Sequence, residues 1–136
     1  MLRLSTSNNE TPMILYVKPE LSATELIRKF NEIYPFLRLE IYYRGEEMSD
    51  AYHDCKLCEI VHKKAIESFA IMPEMKVSEV ENLFWENMGI QISIFRKSGK
   101  TWLESSFTNY WSLERQNSLG KEMNDFMKVE PQKVMQ

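Results

Sequence analysis

The chain repeats itself. Set each residue beside the one fifty-four positions later and Pro19-Glu20 falls on Pro73-Glu74, Glu25 on Glu79, Phe30 on Phe84, Glu32 on Glu86 and Gly45 on Gly99. A chain of 136 residues has the size of one domain, so two such units have to share one core. Whatever the fold is, it must be assembled from the same piece used twice.

The piece reads as strand, helix, strand. Met13 to Val17 is an apolar run ended by Pro19, which lacks the N–H that a ladder requires. Ser22-Ala23-Thr24-Glu25 is a capping box, and Leu26, Ile27, Phe30 and Ile33 recur at helical spacing before Pro35. Leu37, Leu39 and Ile41 then alternate with Arg38, Glu40 and Tyr42, the period of a half-buried strand. In the second unit Ser68 to Met72 is the first strand, and Val77, Val80, Phe84 and Met88 line one helical face. Gly89 suits a left-handed helix end, and Ile90, Ile92 and Ile94 alternate along the return strand. That strand lags the offset by one residue. Further helical stretches are expected at Lys56 to Lys64 and Leu113 to Met127, the latter after a hairpin turn at Lys97-Ser98-Gly99-Lys100 and a short strand at Thr101 to Ser105.

These elements predict an α+β domain. Two βαβ units with right-handed crossovers favour one sheet with both helices on one face, a ferredoxin-like arrangement with added C-terminal strand and helix. A ubiquitin-like β-grasp is the alternative. The predicted organisation is a polar, disordered tail over residues 1–11, one domain over 12–127 made of units 13–66 and 67–127, and a loose end over 128–136.

Composition narrows the function classes. Hydrophobic residues make up 43% and charged residues 27%, as in ordinary globular domains, and the net charge is -3. A nucleic-acid binder needs a basic surplus to displace counterions, and the signs here are mixed. No apolar run reaches the roughly 20 residues that span a bilayer. The polar first residues lack an apolar signal core, so a cytoplasmic protein with reduced Cys55 and Cys58 is expected, without nucleic acid or membrane as partner.

The stretch Met88 to Gly99, with Trp102-Leu103-Glu104, Trp111-Ser112-Leu113-Glu114-Arg115-Gln116-Asn117 and Gly120, resembles an uncharacterised family of small bacterial proteins of the Bacteroidetes type. Tyr34 to Glu40 is similar to that family as well. The resemblance implies a duplicated α+β fold and brings no activity with it. At Asn109-Tyr110 this chain departs from a pattern that is acidic in the family.

One constellation has the chemistry of a metal site. His53, Cys55, Cys58 and His62 are all the cysteines and histidines of the chain, within ten residues, and thiolates with imidazoles are zinc's preferred ligands. On one straight helix Cys55 and His62 would lie roughly 10 Å apart, too far for one tetrahedral ion. The alternative is that Leu57, Cys58 and Val61 pack a short helix. A redox pair at Cys55-Lys56-Leu57-Cys58 is disfavoured by the acidic residues before it, which raise a thiol pKa. Ser98-Gly99-Lys100-Thr101 imitates a phosphate loop, but Ile94 stands where its first glycine belongs and a strand follows. No Gly-x-Ser-x-Gly elbow or other catalytic motif occurs, no cofactor is expected, and Glu46, Glu47, Asp50 and Asp54 read as a solvated loop cluster.

The aromatic residues carry the strongest functional signal. Leu83 and Trp85 take the positions that Lys29 and Asn31 hold in the first unit, so the second helix has an extra apolar shoulder. Phe107, Tyr110 and Trp111 follow in a stretch rich in Ser, Thr and Asn. Either the C-terminal helix, through Leu119, Met123 and Phe126, folds over this shoulder, or the shoulder meets a protein partner or a second copy. The expectation is a non-enzymatic interaction module using Leu83, Trp85, Phe107, Tyr110 and Trp111, with a zinc-binding protein as the alternative.

Overall fold

The computed structural model describes residues 14–43, 46–47, 54–61 and 66–134. The expected tail over 1–11, and the candidate ligands His53 and His62, lie outside these. Each unit starts as its sequence dictates. Strand β1 (Leu15–Val17) leads to helix α1 (Ala23–Ile33) and strand β2 (Leu37–Tyr43), which turns back into the short β3 (Glu46–Glu47) and the single helical turn α2 (Leu57–Ile60). The second unit gives β4 (Phe69–Ile71), α3 (Val77–Met88), β5 (Gln91–Ser98) and β6 (Thr101–Glu104). A 3-10 turn (Ser106–Thr108) then precedes α4 (Leu113–Val134). α4 is helical through the stretch 128–134 that was expected to be loose.

Local chemistry sets the helix ends. The Ser22 hydroxyl accepts the Glu25 N–H and the Glu25 carboxylate accepts the Ser22 N–H, both at 3.1 Å, which completes the predicted capping box. Lys76 and Lys56 have no acceptor to offer. There only the reciprocal half survives, with Glu79 and Glu59 accepting the lysine N–H at 2.7 and 2.8 Å. Gly89 closes α3 with φ of 68°, a left-handed conformation that suits glycine.

The α+β class is as expected, but the sheets are not. β1 pairs only with β4, antiparallel, in a two-stranded sheet, while the main sheet runs β3-β2-β5-β6, again antiparallel. The single ferredoxin-like sheet with both units' strands is therefore corrected, and the β-grasp alternative, which also needs one sheet, goes with it. The reason is edge occupancy. Each return strand pairs with its counterpart on one side, Leu39 facing Ile94, and with its own hairpin arm on the other, β3 for β2 and β6 for β5. The arms cover the hairpin ends of β2 and β5, and β1 and β4 pair with each other instead, with Tyr16 opposite Ala70.

Residues fifty-four or fifty-five positions apart thus face one another in both sheets, Tyr16 with Ala70 and Leu39 with Ile94. A similar correspondence recurs where the helices start. Leu57 donates to the Leu21 carbonyl at 2.8 Å and Leu113 to the Met75 carbonyl at 2.9 Å, so α2 and the first turn of α4 are one element in two lengths.

The core lies between α1, α3 and the first turns of α4 on one side and the inner face of the main sheet on the other. Leu26, Phe30, Phe84, Val80 and Met88 are fully buried against Leu37, Leu39 and Ile94. Each such side chain adds roughly 2 kcal/mol through burial. Among the described residues no helix is long and apolar enough to cross a membrane.

Candidate partner-binding groove

α3 carries two faces. Val77, Val80, Phe84 and Met88 are buried; Glu81, half-buried, and Trp85, exposed, form the shoulder beside them, and Asn82 is exposed beyond it. With Gln91, Ile92 and Ser93 of β5 these three line a cavity of about 410 Å³. Trp85 stands over it with 62% of its surface exposed. The C-terminal helix does not cover this shoulder: α4 packs on β5 and β2, and Met123 and Phe126 are themselves exposed.

The groove is acidic. Glu81 is half-buried and makes no hydrogen bond or ion pair among the described residues. Burial, and secondarily the charge of Glu104, hold its carboxyl above the ordinary range. Glu104, at the end of β6, accepts the Ser93 hydroxyl at 3.1 Å.

The second aromatic group borders the same helix. The Ser78 N–H donates to the Asn109 carbonyl at 2.9 Å, tying the turn that carries Phe107 and Tyr110 to the first turn of α3. Phe107 is 94% exposed and Tyr110 61%. Trp111 is half-buried, edge-on to Tyr110 at 6.2 Å and covered by the Arg115 guanidinium at 4.0 Å from its ring centre, so it holds the turn in place. Leu83 is half-buried and lies outside the groove lining. Of the five aromatic and apolar candidates, Trp85, Phe107 and Tyr110 are thus available to a partner.

The cysteines sit apart from this surface. Cys55 is half-buried against the core and Cys58 is exposed, which reverses the expectation that Cys58 packs the short helix. α2 is a single turn whose buried residues are Leu57 and Ile60. Among the described residues no group of three His, Cys, Asp or Glu side chains could hold a metal ion.

The distinctive α4 segment is explained by packing. The Ser112 hydroxyl accepts the Arg115 N–H at 3.2 Å, and Leu113 is buried. Gln116, fully buried, accepts from Arg96 at 2.8 Å and donates to Thr108 at 2.7 Å. Asn117 accepts the Phe36 N–H at 2.8 Å. These residues seat α4 on the sheet rather than facing a ligand.

The outer face of the main sheet offers a shallower hollow of about 280 Å³ among Arg38, Glu40, Tyr42, Phe95 and Trp102. Its charges are already engaged: Arg38 pairs with Glu40, and the Lys97 ammonium lies 5.1 Å from the centre of the Trp102 ring.

Sequence reading found Trp85 and missed Glu81, Gln91 and Ser93, which line the groove only through the fold, and Glu104, which joins it through Ser93. One signal was present. Glu81 stands where the first unit has Ile27, a carboxylate replacing an apolar side chain at an equivalent position. No protein-family model, no curated protein and no solved structure matches this chain.

Proposed function

We propose that the protein is an interaction module that binds a protein partner along the exposed side of α3, through Trp85 with Phe107 and Tyr110, and has no catalytic role. The observation that carries this reading is the exposure of Trp85 beside a cavity while its counterpart in the first unit, Asn31, is engaged with its own backbone. Large aromatic rings left open to water beside a recess are the usual anchors of protein interfaces. The bacterial family resemblance belongs to the same proposal and fits a binding scaffold, since its segment in α4 serves packing.

Trp85→Ala tests it. The variant should melt within a few degrees of the parent, because the ring is mostly in water. Cellular proteins held by the immobilised parent chain should be lost with the variant, an anchor of this kind being worth about 2 kcal/mol or more. A variant that unfolds, or that holds the same proteins equally well, refutes the reading.

A further inference from the structure

The two units give an internal comparison at the groove. In an antiparallel strand alternate residues direct both backbone groups to the same side. Ile94 sends its carbonyl to the outer edge of β5, where it accepts the Ser105 N–H at 3.1 Å. Ile92, two residues earlier, therefore presents its N–H and carbonyl to that same edge. β6 pairs only with Phe95 to Ser98, and no described residue meets the backbone of Ile92 on this side.

In the first unit the equivalent position is Leu37, and there the edge is filled. The Asn31 side-chain amide donates to the Leu37 carbonyl at 2.9 Å and to the Pro35 carbonyl at 3.5 Å. Trp85 replaces Asn31 in the second unit, and its single indole N–H, unlike the two-donor amide, bridges no pair of carbonyls and makes no hydrogen bond among the described residues. A short length of unpaired strand edge is left beside α3, flanked by two carboxylates and an aromatic face.

An unpaired edge next to a helix is the geometry by which extended peptides add to sheets. Glu81 and Glu104 select its charge, because neither has a cationic partner among the described residues. We propose that the slot between α3 and the outer edge of β5 takes an extended, basic peptide segment, its backbone closing on Ile92 and a lysine or arginine reaching Glu81 and Glu104 under the Trp85 ring. This rests on the reading of α3 as the binding surface and names the class of its partner.

The test titrates an acetylated, amidated heptapeptide alternating threonine and arginine into the isotope-labelled full chain. The Ile92 amide and the Trp85 indole resonances should shift together. Glu81→Gln combined with Glu104→Gln should weaken the peptide about tenfold, the scale of one charge-assisted hydrogen bond. Trp85→Asn, which copies the first unit's plug, should abolish the shift at Ile92. Equal binding of a peptide with glutamate for arginine, shifts confined elsewhere, or unchanged binding to both variants would overturn the proposal. Concentration-dependent shifts at Ile92 without peptide would assign the edge to a second copy, and overturn it too. Should the peptide fail while Trp85→Ala still loses cellular partners, the surface stands and only the strand-edge mode falls.

Discussion

Glu81 is a residue retained against its own folding interest. Ile27, fifty-four positions earlier, packs against the core, whereas Glu81 is half-buried and feels the charge of Glu104. Burial disfavours the ionised form, so the folded pKa lies above the ordinary 4.5. Between that value and the folded one, the native state binds the proton more tightly than the unfolded chain does. The stabilisation from the protonated carboxyl is therefore complete below about 4.5 and lost as pH climbs through the folded value. Glu81→Gln keeps the shape without the charge and should raise the melting temperature at neutral pH by a few degrees. That gain should shrink to nothing as the pH falls below about 4.5. A pH-independent difference would mean that the carboxyl is not desolvated. Sequence alone could show the exchange of isoleucine for glutamate, but not its consequence, which depends on Glu104 arriving from β6.

Elements were legible where the signal is local. The capping box, the two helical faces and the Gly99 hairpin, with φ of 63°, all follow from residues within one turn of each other. The seating of α4 was not legible, because it depends on partners far along the chain: Phe36 for Asn117 and Gly120, Arg96 for Gln116. Gly120 measures how close that seating is. A Cβ added there would stand 2.9 Å from the Phe36 Cβ and 3.0 Å from its carbonyl oxygen. Alanine favours an isolated helix over glycine by about 1 kcal/mol, yet overpacking against backbone costs about 1–3 kcal/mol. Because the second contact is a backbone atom that cannot rotate away, Gly120→Ala should be a net loss of about 1–2 kcal/mol in urea unfolding. A stabilised variant would show that α4 rides higher on the sheet.

For the whole molecule, the fifty-four-residue offset in the sequence predicted the inventory of elements but not their pairing. Periodicity reports which face of a strand is buried and says nothing of which neighbour it takes. Here the hairpin arms β3 and β6 take the outer sides of β2 and β5 at their turn ends, while β1 and β4 form a sheet of their own. Both sheets are consequently sewn across the two units, β1 to β4 and β2 to β5. Residues 1–66 and 67–136 produced as separate chains should each lack a cooperative melting transition and regain one when mixed. A sharp transition in either piece alone would contradict an obligatory shared core.

Two strands paired through matching registers would offer the same address on each flank if their outer edges were alike. The amide of Asn31 on the Leu37 carbonyl removes one of them. Any ligand that reads the remaining strand edge meets one seat per chain, so a ligand with several copies of its sequence gathers molecules along itself without stitching them into a network.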